Sequence, residues 1–432
     1  MSEGKRRVQR LVTLTLGACG LLAIAQGVRA APATFPELPR DGRASFSNAS
    51  FRVSALLVYG DTIYVGGNFR VSQGGVTKTN LAAFDLSGNL RTGFSASPNG
   101  SVLALATDGV SLFVGGEFTR LGLKRRLAAL DLVSGAVKRP FTAHVDGQLD
   151  PETPSGVRAL AVVTDTRTTP PTVRLLVGGN FTQIDSVTDN RAGLSALNPE
   201  TGDLDPAFDQ GVQGGFVDAL FASPSALYVG GSFTGIQGKT ASFAALQPSG
   251  VLRNTFATGG QPVLDIDLDP VSNRLFAGVG GGGNRVMAFS ANGDNRGSAQ
   301  WQGPRVGGDV QAVHYYAGNV YFGFHDGLFV EPDPYKLAAL DASTGTLERD
   351  ADHAGLGCDG SAELVGNCWL PTLDSTQGQG FFGTWAITHF VNPATQQTNL
   401  VVGGEFTQIG MVTNSRRFAI FEQLPGVSGP LP

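Results

Sequence analysis

A five-residue motif returns along this chain at a near-constant period, and that period restricts the fold more than any other feature. It reads Val65-Gly66-Gly67-Asn68-Phe69, and again from Val114 to Phe118, Val177 to Phe181, Val229 to Phe233 and Val402 to Phe406. Degenerate copies, Leu275 to Val279 and Val320 to Phe324, fill the gap before the last. The first glycine falls at 66, 115, 178, 230, 278, 323 and 403, so the steps are 49, 63, 52, 48, 45 and 80 residues. Four steps cluster near 50 and two are lengthened by insertions. Such a chain is an array of one supersecondary unit.

Each unit carries four strand signals, a to d. Strand a begins at Val53, Val102, Val157, Val217, Val263, Val310 and Trp385. Strand b ends in the glycine motif. Strand c is a Leu-Ala-Ala-Leu-Asp-like run, as in Leu127 to Asp131 and Leu337 to Asp341. A turn with Gly88, Gly135, Gly202, Gly250, Gly293 or Gly345 follows, and Phe94, Phe141, Phe208 and Phe256 mark strand d. Short runs of Val, Ala, Leu and aromatics broken by Gly, Asn and Asp are hairpin chemistry, and no helical period is sustained. The 60 glycines among 432 residues fit many tight turns.

The expected fold is all-β: a seven-bladed β-propeller over residues 41–426, with four antiparallel strands per blade. An eight-bladed ring is the competitor, since the 80-residue step has room for a further unit. The small strand c residues let sheets approach, and the motif phenylalanine is expected to pack between blades. The seventh unit lacks a strand d, while Arg43-Ala44-Ser45-Phe46 resembles one. The N-terminal strand is therefore expected to complete the last blade and close the ring, removing the open edges.

The repeat resembles the delta-60 repeat β-propellers of bacterial surface and secreted proteins. The resemblance rests on Leu227 to Thr234 (Leu-Tyr-Val-Gly-Gly-Ser-Phe-Thr), Ala128 to Asp131 and Thr201 to Phe208, and spans nearly all of 41–424. It implies a propeller with a binding or structural role. The glycine pair is also similar to kelch repeats, without the kelch tryptophan.

Residues 1–30 read as a secretory signal: basic Lys5, Arg6, Arg7 and Arg10, an apolar run from Leu11 to Ala25, and small residues around Ala30. The run is too short for an ordinary membrane span. A short linker (31–40) and a tail (427–432) flank the propeller. Cys19 lies in a lipobox-like context, and lipid anchoring there is the alternative to release. Cleavage after Ala30 leaves 26 basic against 35 acidic residues, net −9, which argues against a nucleic-acid partner. The mature chain keeps Cys358 and Cys368, expected to form a disulfide in an oxidising compartment.

Two candidate sites follow. The d–a insertions, about 142–156 and 350–384, should open on one face; the second holds the disulfide with His353, Asp359, Glu363 and Trp369, a candidate binding loop. Four residues past the start of strand a, adjacent units carry Asp267, His314 and His389, which could converge on a metal ion near the channel. Sialidase, zincin, nucleophile-elbow and Walker signatures are absent. The expected function is a monomeric, secreted or surface-exposed, non-enzymatic propeller that binds a protein or glycan through its insertion-bearing face. The alternative is an exported metal- or carboxylate-dependent hydrolase or lyase with its site at the channel mouth.

Overall fold

In the computed structural model, the described residues are 45–185, 191–208, 211–292, 297–325, 336–348, 373–374, 383–406, 408–409 and 417–422. Among them there is no helix, and seven antiparallel sheets follow the seven sequence units. The a strands are Ser45–Tyr59, Val102–Thr107, Gly156–Asp165, Val217–Ala222, Val263–Asp269, Val310–Tyr316 and Thr384–Val391. In every unit a pairs with b and b with c.

The two motif glycines exist for different reasons. A Cβ on the first would strike the opening residue of the next unit's strand a: at Gly66 it would lie 2.5 Å from Val102 Cγ1, at Gly115 2.5 Å from Val157 Cγ1, at Gly178 2.6 Å from Val217 Cγ1. Gly230, Gly278 and Gly323 meet Val263, Val310 and Thr384 in the same way, and Gly403 meets Val53. A Cβ on the second would strike the strand a backbone of its own unit: Gly67 abuts the Arg52 carbonyl and Gly116 that of Ser101. There each strand a is bulged, as between Val53 and Ala55. Val279 and Phe324 replace the second glycine in units five and six, whereas the first is present in all seven.

The core is seven clusters, each shared by two sheets. Phe118 packs with Tyr64, Leu81 and Phe94 of unit one and Val102 and Val114 of its own. Phe181, Phe233 and Phe406 repeat this between units two and three, three and four, and six and seven. Phe69 packs with Phe84 of its own unit and with Phe390, Val401 and Phe418 of unit seven. The strand c alanines, such as Ala82 and Ala83, are fully buried, which lets the sheets approach. The contacts that join one sheet to the next therefore also join the seventh to the first.

Two expectations need correction. Among the described residues a true fourth strand occurs only in units four (Leu252–Thr258) and five (Trp301–Gln302). In units one, two, three and six the d segment makes one bridge, Phe84 to Leu90, Leu130 to Val137, Leu197 to Leu204 and Leu340 to Leu347, and in units one to three it then leaves the sheet. In units two and three Pro140 and Pro206 have no N–H to extend the ladder. The aromatics that follow are buried regardless; Phe141 and Phe208 are core, not ladder, residues.

The second concerns the N-terminal strand. Ser45, Phe46 and Ser47 pair with Ser72, Val71 and Arg70 of unit one's own strand b, not with the last sheet, whose order is Thr384–Val391, Thr398–Gly404, Phe418–Phe421. Beyond the glycines, strand b runs on to Gln73 and offers a nearby edge. Similar short ladders join Val145–Asp146 to Gln183–Ile184, Val212–Gln213 to Gly235–Ile236 and Leu373–Asp374 to Gln408–Ile409. The side chain of Phe46 nevertheless enters the core between units seven and one, its ring centroid 5.3 Å from Phe69 and 6.2 Å from Phe418.

Candidate functional site at the channel mouth

The first strands of all seven sheets line one cavity of about 220 Å³. Counting Val53 and its counterparts as position 1, pairing places Thr384, not Trp385, at position 1 of unit seven: Thr384 faces Gly404 as Val53 faces Gly67. Position 2 then reads Ser54, Leu103, Arg158, Asp218, Leu264, Gln311 and Trp385, all on the cavity wall.

The predicted trio does meet. His314 Nδ1 is 3.0 Å from Asp267 Oδ2, and His314 Nε2 is 2.6 Å from His389 Nδ1. Asp267 also accepts from the amides of Leu268 (2.8 Å) and Tyr315 (2.7 Å). The ring of Tyr316 lies 4.5 Å from that of His389, and its hydroxyl is 2.6 Å from Thr398 Oγ1. The contact depends on the shifted register. Position 4 side chains lean on the preceding unit, as Leu160 does on Gly115 and Leu220 on Gly178. Alternation puts position 6 on that same face, so His389 at position 6 faces unit six.

The trio forms a line rather than a coordination centre. Both ring nitrogens of His314 are engaged, and with Nδ1–H on each ring His389 donates to His314, which donates to Asp267. Among the described residues no group of three or more His, Cys, Asp and Glu side chains is placed to hold a metal ion, so the metal expectation gives way to a hydrogen-bonded relay. Burial, then the neighbouring His314, pushes His389 down to about 4, so its imidazole is neutral at physiological pH.

Asp265 stands at position 3, where the other six units carry alanine: Ala55, Ala104, Ala159, Ala219, Ala312 and Ala386. Its carboxylate accepts from the amides of Ile266 and, across the sheet boundary, Val313, each at 2.9 Å. Burial pushes it up to about 7, against the opposing pull of those two N–H groups.

Nearer the mouth, Arg158 Nε pairs with Asp218 Oδ1 at 2.7 Å, and Ser232 Oγ donates to Asp218 Oδ2 at 2.7 Å. The guanidinium of Arg158 lies 5.1 Å over the ring of Phe216. Arg52, just before strand a turns inward, lies 4.1 Å over the Trp385 ring and donates through Nε to Ser54 Oγ at 3.1 Å. Burial raises the Glu405 carboxyl, opposed by Arg52 and Arg417.

A cleft of about 400 Å³ adjoins this mouth, walled by Leu149, Asp150 and Pro151 of the first insertion and by Phe216. The insertion is held by buried Asn180 of the third motif copy. Its Oδ1 accepts from the amides of Leu149 (2.6 Å) and Asp150 (2.9 Å), and its Nδ2 donates to the carbonyls of Asp150 (3.0 Å) and Thr153 (2.7 Å). Asn180→Ala strands these backbone groups and is expected to cost about 2–4 kcal/mol. Urea unfolding would measure it, and limited proteolysis should show earlier cleavage at 147–155.

The candidate loop residues His353, Asp359, Glu363 and Trp369, the pair Cys358 and Cys368, and Cys19 with the rest of the signal lie outside the described residues. The sequence reading missed Arg52, Arg158, Asp218 and Trp385. For Arg158, Asp218 and Trp385 the signal was there: they hold position 2, where other units carry Ser54, Leu103, Leu264 and Gln311.

No protein-family model and no curated protein matches the chain. Among solved structures it is similar to the computationally designed Ika8 protein (11% identity, 90% of this chain and 100% of that one, TM-score 0.46). It is similar also to Sqt1 of Saccharomyces cerevisiae (10% identity, 89% and 100%, TM-score 0.49). Among the described residues no helix is long and apolar enough to cross a membrane.

Proposed function

We propose that the chain is an exported, seven-bladed delta-60 repeat propeller that works by binding, not catalysis, and receives a protein or glycan partner on the face where strand a begins. The seven shared cores and the return contact from Gly403 to Val53 support the ring. The observation that carries the binding reading is the cavity lined by strand a of every unit beside a cleft walled by a stapled insertion. Such concave sites with a few fixed polar groups are where ligands bind. The hydrolase reading has less support. Among the described residues neither relay imidazole bonds to a Ser, Thr or Cys side chain, the contact that would activate a nucleophile.

A second reading has its own observation. Of the eight large apolar side chains exposed among the described residues, Tyr59, Val110, Val133, Val173, Val251, Val271 and Val391 lie at a–b or c–d turns, on the opposite face, and Leu123 lies on the insertion face. Exposed apolar patches mark protein contacts.

Capture from the cell's own exported fraction separates the two. Pro151→Arg at the rim of the cleft is expected to abolish recovery of the partner, and Val271→Asp to leave it intact. The reverse pattern would move the binding surface to the opposite face.

A further inference from the structure

We propose that the channel mouth binds the carboxylate of a small organic acid, with the Arg52 guanidinium as its receptor. This deepens the binding reading above and rests on it. The mouth holds donors without acceptors. Among the described residues, the hydrogen bond of Arg52 is the one from Nε to Ser54 Oγ, which leaves the Nη1 and Nη2 edge of the fork open. Trp385 Nε1, beneath it, is buried with no partner among the described residues. The nearest carboxylates do not use these groups. Asp218 is taken by Arg158 and Ser232, and Asp265 by two backbone amides. Glu405 influences Arg52 electrostatically but forms no ion pair with it within 4 Å.

A planar guanidinium fixed on an indole face is pre-organised for a carboxylate, which takes two parallel N–H bonds from it. Stacking on Trp385 and the Ser54 bond hold the fork in place, so little side-chain entropy remains to be lost on binding. Open donors on a half-buried wall are costly unless a ligand or water accepts from them. Arg52's two partners, Ser54 and Trp385, line the cavity of about 220 Å³, which has room for a single small acid rather than a polymer segment. Gln311 on the cavity wall can accept from, or donate to, a hydroxyl on the same molecule.

The test uses the mature full chain with glucuronate, lactate and, as the neutral control, glucose. Titration calorimetry is paired with the indole N–H resonance of Trp385 in 15N-labelled protein. One of the two acids is expected to bind at millimolar or lower concentration and shift that resonance, with glucose silent. Arg52→Gln should weaken binding by about tenfold or more, and Arg52→Lys, which keeps the charge but not the fork, by several-fold. Thermal unfolding of each variant checks that it folds; should Arg52→Gln fail, Arg52→Lys and the resonance of the unaltered protein still decide. Equal response to glucose and the acids, no response to either acid, or undiminished binding by a folded Arg52→Gln overturns the proposal. Partner capture lost in Pro151→Arg but with no acid bound would retain the binding face and reject this ligand class alone.

Discussion

Asp265→Ala is expected to stabilise the protein above pH 7 and to weaken it slightly near pH 4. The folded carboxyl, pushed from 3.8 to about 7 chiefly by burial, holds its proton where the unfolded chain has released it. A raised carboxyl contributes its full stability below the unfolded value and loses it as pH rises to the folded one. The shift of about 3 units corresponds to about 4 kcal/mol lost between pH 4 and 7. Alanine removes that loss but leaves the Val313 amide without its acceptor, at about 1–2 kcal/mol. The variant should therefore gain roughly 2 kcal/mol at pH 8. His389 runs the other way. Lowered from 6.5 to about 4, it gives stability that is present above 6.5 and disappears as pH falls toward 4, about 3 kcal/mol. In the unaltered protein the two slopes oppose each other between pH 4 and 6.5. In Asp265→Ala the histidine slope should stand alone, visible as denaturation midpoints that fall on acidification. A variant-to-parent difference that does not change from pH 4.5 to 8 would refute the assignment.

Gly403→Leu should cost as much as the same change in the middle of the chain. A Cβ at Gly403 meets Val53, the opening residue of unit one, just as one at Gly178 meets Val217 of unit four. In a closed array both sites are interior, with no end at which a misfitting unit can swing away. Overpacking a filled contact costs typically 1–3 kcal/mol, and four added carbons against a neighbouring strand should reach about 3 kcal/mol or more. Urea unfolding of Gly403→Leu and Gly178→Leu makes the comparison. A severe effect at Gly178 with a mild one at Gly403 would mean that the last unit does not bear on the first, and the propeller reading would fall.

The parts of the fold legible in the sequence are those set by local chemistry that recurs. The first glycine of each motif, the buried phenylalanine two residues beyond the pair and the alanines of strand c occur in copy after copy, and each does what its repetition implied. The d segments mislead because their apolar spacing is real while their hydrogen bonding is not: Phe141 and Phe208 are spaced like strand residues, yet a proline precedes each in the segment that leaves the sheet. Phe46 shows the same division: its ring enters the core between units seven and one, while its backbone pairs within unit one instead of completing the last sheet. In the seventh unit strand a opens at Thr384, one residue before the position the sequence repeat indicates. Because strand side chains alternate, that one-residue shift decides which neighbour His389 faces.

By itself the sequence determined the repeat, the all-β class and the residues that fill the boundaries between the sheets of successive units. These follow from periodicity and side-chain volume, which a linear chain displays. Tertiary structure alone decided that Asp267, His314 and His389 lie in line, that Asp265 accepts from the Val313 amide, and that Arg52 rests on Trp385 from the other end of the chain. These pairings cross from one unit to another. Their geometry depends on strand register and sheet packing, and their protonation on the water excluded when the sheets come together.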